Sequence, residues 1–333
     1  MKVCIYFEAA NNITKSGIGR AFKHQVAMCE SLGIDYTTNY KDTYDILHIN
    51  TIFLKSSEAM KYARKQGAKI IYHAHSTKED FEDSFKLSNA VSPVFKKWLI
   101  HLYSKADMII TPTPYSKKLL VGYGIKVPVY VLSNGIDVSK YASNSDYEQE
   151  FRDYFKLNKD DIVFFSVGLW FRRKGILDFI KLARELPEYK FIWFGYINKN
   201  SITSDVSLAM KNAPSNCLFP GYIAGNVIKG AYSGANGFIF MSYEETEGIV
   251  VLESLASKQA TIIRDIPVYD EWLQNNVNCL KAKSIQDFKD KLLYLTCNDP
   301  TDLKEAGYQV AFQRDFKVIE AQLKELYEMV LRS

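Results

Sequence analysis

Short, continuously apolar runs alternate along this chain with stretches whose apolar residues recur every three or four positions. Lys2 to Phe7 has the unbroken apolarity of a strand covered on both faces, as do Tyr44 to Asn50, Lys69 to His73 and Met108 to Thr111. Between them, helical spacing places Phe22, Val26, Cys29 and Leu32 on one face. It also predicts helices over Ser56 to Gln66, Phe95 to Ser104 and Ser116 to Tyr123. The alternation resumes with strands at Asp161 to Val167, Lys190 to Phe194, Leu218 to Phe219 and Gly237 to Met241, and a helix at Gly175 to Glu185. Strands that alternate with helices predict parallel, doubly wound α/β sheets. The polar stretch Ser143 to Asp161 reads as a linker between two domains, expected at 1–150 and 158–310. A last helix, Phe312 to Leu331, carries Val318, Leu323, Leu326 and Val330 on its apolar face.

Composition narrows the class. With 333 residues, 47% hydrophobic and 24% charged, the chain can bury two cores of ordinary globular kind. No apolar run reaches the roughly 18 residues that span a bilayer, and the N-terminus is too soon acidic for a signal peptide, so an intracellular place is expected. Five scattered cysteines without a Cys-x-x-Cys pair indicate neither a disulfide framework nor a structural zinc. The net charge of +4 is concentrated: residues 55 to 118 hold 12 basic against 6 acidic side chains. That points to a local anionic partner and argues against a chain-wide coat for nucleic acid.

Four stretches carry candidate chemistry. After the first strand come Asn11 to Arg20 with Gly17 and Gly19, a strand, glycine loop and helix in the order that lets backbone amides approach a phosphate; the two glycines also suit a plain tight turn. The spacing is not that of a nicotinamide dinucleotide site. His75 falls just past a strand end, where ligands of parallel sheets bind. Gly168-Leu169-Trp170-Phe171-Arg172-Arg173-Lys174-Gly175 sets three cations before a helix, either as a solvated loop or as donors to a diphosphate. Ser242 to Ala256 is an acidic loop followed by Gly248 and a helix whose free N-terminal amides suit an anion. Glu253, about a turn and a half in, is placed to accept from vicinal hydroxyls.

In this order the motifs resemble glycosyltransferase family 4. They are Ser16-Gly17-Ile18-Gly19-Arg20, the His75 loop, Ala106 to Pro112, Ser133-Asn134-Gly135-Ile136-Asp137, Lys174-Gly175, Phe219 to Ile223, and Glu245 with seven residues before Glu253. The His73 to Phe81 and Glu244 to Glu253 stretches are most similar to Gram-positive enzymes that add a second hexose to monoglucosyl-diacylglycerol, a lipoteichoic acid anchor. The resemblance implies the GT-B architecture: two Rossmann-like domains facing across a cleft, with a C-terminal helix, 311–333, returning to the first. It also implies a retaining transfer of glucose or galactose from UDP-glucose or UDP-galactose to a glycolipid acceptor.

Roles follow residue by residue. The resemblance gives Glu253 the ribose, Gly221, Tyr222 and Ile223 the uracil, and Arg173 with Lys174 the diphosphate, beside Gly168. Gly17 and Gly19 close over the phosphates, Glu245, Gly248 and Ile249 contact the donor sugar, and His75 lies beside its reacting face. The family commonly has Arg where Leu169 stands, so the cation is expected from Arg172 or Arg173. It has an aromatic residue where Glu247 stands, so the donor sugar is not carried over. With no Asp-x-Asp motif, no required metal and no cofactor beyond the donor is expected.

Two other activities fit the same motifs: transfer to a polysaccharide or soluble glycoside, and a sugar-nucleotide isomerase or silent nucleotide-binding module. Phe95, Trp98, Leu99 and Leu102 fall on one helical stripe, with Lys96, Lys97, His101 and Lys105 beside it. This suggests peripheral attachment to an anionic membrane surface, on the cytoplasmic face, through the first domain.

Overall fold

The computed structural model describes residues 1–8, 17–198 and 201–333. The predicted loop from Asn11 to Ser16, with Lys15 and Ser16 of the motif, lies outside the described residues. Contacts divide the chain into two units: 1–81, 89–136 and 314–333 in one, 82–88 and 137–313 in the other.

In the first unit the elements run β1 (Lys2–Tyr6), α1 (Gly17–Ser31), β2 (Asp35–Thr37), β3 (Ile46–Ile49), α2 (Leu54–Lys65), β4 (Lys69–His73), α3 (Lys78–Phe81), α4 (Ser88–Tyr103), β5 (Met108–Thr111), α5 (Pro114–Gly122) and β6 (Val129–Val131). The strands form one sheet in the order β2-β1-β3-β4-β5-β6, parallel throughout. Both faces are covered. Leu47, Ile49, Tyr72 and Ile109 meet Leu99, Leu102 and Tyr103 of α4 on one side. On the other, Val3, Ile5, Ile71 and Ile110 meet Met28 and Cys29 of α1 and the C-terminal helix.

The second unit runs α6 (Ser145–Tyr154), β7 (Val163–Val167), α7 (Ile176–Glu185), β8 (Lys190–Phe194), α8 (Ser204–Lys211), β9 (Cys217–Gly221), α9 (Asn226–Gly234), β10 (Gly237–Phe240), α10 (Ile249–Ala256), β11 (Thr261–Arg264), β12 (Leu280–Ala282), α11 (Ile285–Cys297) and α12 (Thr301–Phe312). Its parallel sheet has the order β12-β11-β10-β7-β8-β9. Both orders reverse once, between β1 and β3 and between β7 and β10. Beyond the carboxyl ends of strands at such a reversal is where open α/β sheets hold ligands. The final helix α13 (Phe316–Arg332) returns to the first unit and buries Ile319, Leu323, Leu326, Tyr327 and Val330 there, with the Asp315 side chain accepting from Lys317 N–H as its cap.

Three expectations change. The stretch read as a linker from Ser143 to Asp161 contains α6, capped by Asn144 and anchored by the buried Phe151. It lies so close to α9 that a Cβ on Gly230 would come within 1.9 Å of the Tyr147 carbonyl oxygen. The division therefore falls at Ile136/Asp137 and not near 150. Secondly, Glu82 to Ser88 belongs with the second unit although it is coded among the strands of the first. Thirdly, the helix predicted from Phe95 begins at Ser88 and runs through Pro93, which stands in its second turn. Short strands β2, β6, β11 and β12, of three or four residues each, left no periodic trace to read.

Candidate active site

The loops that follow β7 and β10 are joined by backbone, and glycine makes this possible. Gly175 has φ +80°, and a Cβ there would meet the Met241 carbonyl oxygen at 2.2 Å, so the basic loop lies directly on the acidic one. Tyr243 N–H donates to the Arg173 carbonyl at 2.8 Å, which ties the two loops side by side. The strand ends continue the frame: Gly168 N–H donates to Phe194 O at 2.9 Å, and Gly195 N–H to Gly221 O at 2.8 Å. Gly168, Gly221, Tyr222 and Ile223 thus line the carboxyl ends of β7 and β9, with Tyr222 exposed.

Within this frame the three consecutive cations have different surroundings. Arg172 is exposed and pairs with Asp205 at 3.6 Å. Arg173 is buried: its Nε donates to Ser84 Oγ at 3.1 Å, its Nη1 to the Glu244 carbonyl at 2.6 Å, and its backbone N–H to Asp83 O at 3.0 Å. It holds the acidic loop and the 82–88 segment in place. Lys174 Nζ is paired directly with Glu245 Oε1, and Arg173 Nη1 lies 3.8 Å from the same oxygen. Burial by itself raises the pKa of Glu245, but the Lys174 and Arg173 charges outweigh it and lower the pKa, so the carboxylate is ionised at neutral pH. An ammonium carries three N–H donors, so Lys174 can hold Glu245 and a phosphate oxygen together.

Gly248 (φ +89°) precedes α10 with no side-chain cap, and Ile249 opens the helix, so the positive helix end is presented beside the Lys174–Glu245 pair. Glu253 is buried on the same helix and accepts from the Tyr232 hydroxyl at 2.8 Å. The second unit therefore gathers Lys174, Arg173, Glu245, Gly248, Ile249 and Glu253 around one helix and one pair of loops.

Gly17, Gly19 and His75 lie in the first unit. Gly17 opens α1, and a Cβ there would meet nothing within 4 Å among the described residues, so packing does not demand a glycine. His75 is buried and stands at the end of a stack of three imidazoles. Its ring is 4.2 Å from His73 and the His73 ring is 5.3 Å from His48, with planes 5° apart in both pairs. Side chains bind each ring: His75 Nε2 to Asn50 Oδ1 at 2.8 Å, His73 Nδ1 to Gln25 Nε2 at 2.9 Å, and His48 Nδ1 to the Tyr327 hydroxyl at 2.8 Å. Burial lowers the pKa of His75 and His48 to about 3, and that of His73 well below the usual range, so all three are neutral.

The sequence reading missed this network, although His-Ala-His after a strand and the His48 to Asn50 strand end were its visible signals. It also missed Arg264, whose Nε donates to Met241 O at 2.9 Å and whose guanidinium pairs with Asp178 and lies 3.8 Å over the Tyr243 ring. Tyr269, fully buried beneath Gly248, left no signal at all.

Comparison with known proteins agrees with this geometry. Residues 38–140 match the family "Glycosyltransferase Family 4" and residues 148–310 match "Glycosyl transferases group 1". The chain is 44% identical over 333 residues to a processive diacylglycerol alpha-glucosyltransferase of Acholeplasma laidlawii, covering 100% of this chain and 99% of that relative. It is 26% identical over 299 residues to an alpha-galactosylglucosyldiacylglycerol synthase of Streptococcus pneumoniae R6, covering 88% and 77%. The crystal structure of Anabaena Alr3699/HepE in complex with UDP-glucose superposes with a TM-score of 0.79 over 99% of this chain and 100% of that one, at 14% identity, which speaks for a shared GT-B fold. On the full-length relative and the two family matches, the chain belongs to glycosyltransferase family 4 and is a glycosyltransferase of the GT-B fold.

Proposed function

We propose that this enzyme transfers glucose from UDP-glucose, with retention of the α configuration, to a diacylglycerol-based glycolipid such as monoglucosyl-diacylglycerol. The observation that carries this reading is the Lys174–Glu245 ion pair at the head of α10, with Glu253 eight residues on along the helix. A full-length relative that glucosylates diacylglycerol supports the lipid acceptor and favours glucose over galactose. In this reading Glu253 accepts from ribose hydroxyls, and Gly221, Tyr222 and Ile223 flank the uracil. Lys174 and the first amides of α10 face the diphosphate and Glu245 meets the hexose, while Gly17 and Gly19 keep the phosphate role and His75 the hexose role that the family resemblance gives them. Arg173 acts through its neighbours, since its donors are directed at Glu244 and Ser84.

The reaction breaks the bond between the anomeric carbon and the diphosphate oxygen and forms one from that carbon to the acceptor hydroxyl oxygen. The acceptor's proton passes to the departing phosphate. Charge grows on that phosphate as the bond lengthens, so a fixed ammonium and helix amides stabilise the transition state more than the ground state.

An acceptor with two acyl chains stays in its bilayer, so the enzyme meets it there. Among the described residues no helix is long and apolar enough to cross a membrane. The stripe expected to touch lipid faces inward: Leu99 and Leu102 are core residues, with Phe95 and Trp98 packed on them. The exposed large apolar residues of α4 are Val91 and Val94, and the Trp98 indole donates at 2.7 Å to the carbonyl of Ile52, which directly precedes exposed Phe53 and Leu54. We place the lipid-facing surface on Phe53, Leu54, Val91 and Val94, with Lys97 and Lys105 at its margin.

Purified protein incubated with UDP-glucose or UDP-galactose and detergent-dispersed diacylglycerol or monoglucosyl-diacylglycerol tests the reading. Glucosylated lipid from UDP-glucose is expected. Transfer to soluble glycosides with none to lipid would replace the acceptor assignment, and hydrolysis independent of any acceptor would replace the activity.

A further inference from the structure

We propose that the Tyr269 hydroxyl is a hydrogen-bond donor to the hexose of the bound nucleotide sugar and helps to discriminate between hexoses. The proposal rests on the donor site described above and adds a residue that no motif includes.

Tyr269 is fully buried, yet among the described residues no partner lies within hydrogen-bonding distance of its hydroxyl. The residue is held in place: its backbone N–H donates to Ile266 O at 3.1 Å, its backbone carbonyl accepts from Leu273 N–H at 2.9 Å, and its ring packs edge-on against Trp272 at 5.5 Å. Leaving a buried hydroxyl unpaired is costly, so a fold that fixes one in place without a partner points to a partner that arrives.

The hydroxyl is directed at the sugar loop. A Cβ built on Gly248 would stand 2.9 Å from the Tyr269 oxygen and 3.7 Å from the Phe240 ring, so the hydroxyl faces the space that the missing side chain of Gly248 leaves open. Lys174 Nζ, the partner of Glu245, is 5.7 Å from the centre of that same Phe240 ring. Tyr269, Gly248, Phe240, Lys174 and Glu245 therefore border one small region at the head of α10. Burial first, then the nearby Glu245, Glu244 and Glu247 charges, raise the phenol's pKa well above its usual value, which keeps the proton on the oxygen and leaves it a donor. Glucose and galactose differ in the direction of a single hydroxyl. A rigid, buried donor is the kind of group that senses such a difference, because the wrong epimer leaves it unpaired.

Tyr269→Phe removes the hydroxyl and keeps the ring. Calorimetric titration of the wild-type and Y269F proteins with UDP, UDP-glucose and UDP-galactose, together with steady-state kinetics and thermal melts, separates the roles. Expected are unchanged affinity for UDP, a roughly threefold to tenfold loss in affinity and kcat/KM for UDP-glucose, a changed glucose-to-galactose preference, and a Tm that is unchanged or raised. Equal UDP-glucose affinity in the two proteins would overturn the proposal while leaving the donor site standing. A lowered Tm with parallel losses for UDP and UDP-glucose would overturn it by making the hydroxyl structural. A wild-type protein that binds UDP but neither UDP-hexose would remove the donor-site reading and this proposal with it.

Discussion

Lys174 and Glu245 are adjacent charges with opposite requirements, and the Lys174–Glu245 pair can be tested one residue at a time. Glu245 is buried and ionised because two cations hold it, so Lys174→Ala leaves the carboxylate to Arg173, 3.8 Å away, and in the proposed mechanism it also takes an ammonium from the departing diphosphate. Lys174→Ala and Glu245→Ala are each expected to lower kcat by at least about 10²-fold, with folding checked by circular dichroism. Near-normal turnover in either folded variant would remove that residue from the chemistry. The spacing of Glu245 and Glu253 was readable because the loop and the helix that carry them are contiguous in the chain. The ranking of Arg172, Arg173 and Lys174 was not, since three consecutive cations look alike in sequence. Only the contacts separate an exposed partner of Asp205, a brace on Glu244 and Ser84, and the ammonium on Glu245. Tyr269 was illegible for a related reason: its nearness to Gly248 is a property of how the segment after β11 returns beneath α10, with 20 residues between them in the chain.

Among the elements, α4 shows how a correct periodicity can be assigned to the wrong surface. The i, i+3, i+4, i+7 stripe of Phe95, Trp98, Leu99 and Leu102 is real, and it packs on β3, β4 and β5 as a covered helix of a doubly wound sheet does. Lys96 belongs to the fold as well, its ammonium 4.3 Å from the centre of the Tyr123 ring. The large apolar residues that remain outward on α4 are Val91 and Val94, in its first two turns. Replacing Leu54, Val91 and Val94 together with Ser is expected to abolish sedimentation with anionic vesicles. Replacing Lys97 and Lys105 should only weaken it in a salt-dependent way, at about 1 kcal/mol per lysine. Undiminished sedimentation of the triple variant would move the lipid contact elsewhere on the protein. The strands were legible as a set because parallel strands buried on both faces are unbroken apolar runs. The short edge strands β2 and β6 were not, since half-exposed segments of three residues carry too little pattern to separate from loop.

At the scale of the whole chain, the His48, His73 and His75 stack ties together the parts of the first unit that are farthest apart in sequence. Tyr327 of the C-terminal helix reaches His48, Gln25 of α1 reaches His73, and Asn50 after β3 reaches His75. All three imidazoles stay neutral because burial depresses their pKa values to about 3 or further, whereas in the unfolded chain each titrates near 6.5. Above pH 6.5 neither state binds the extra protons and the stack leaves stability independent of pH. Below it the unfolded chain takes up three protons that the native fold refuses, so stability falls with pH at up to about 1.4 kcal/mol per pH unit for each histidine. Glu245, whose pKa is depressed, adds its own loss only once the pH drops below about 4.5, the unfolded value of its carboxyl. Between pH 6.5 and 4.5 the decline therefore belongs to the histidines and to the first unit. Thermal melts at pH 7.0, 6.0 and 5.0 are expected to show a Tm that falls progressively, beginning with the transition of the unit that holds α13. His75→Asn should reduce the slope by about one third, because it removes one of three titrating groups. A Tm that stays constant from pH 7 to 5 would mean that the imidazoles accept protons in the folded protein, and the stack would then not be the closed, neutral tie between α1, the sheet and α13 that its burial describes.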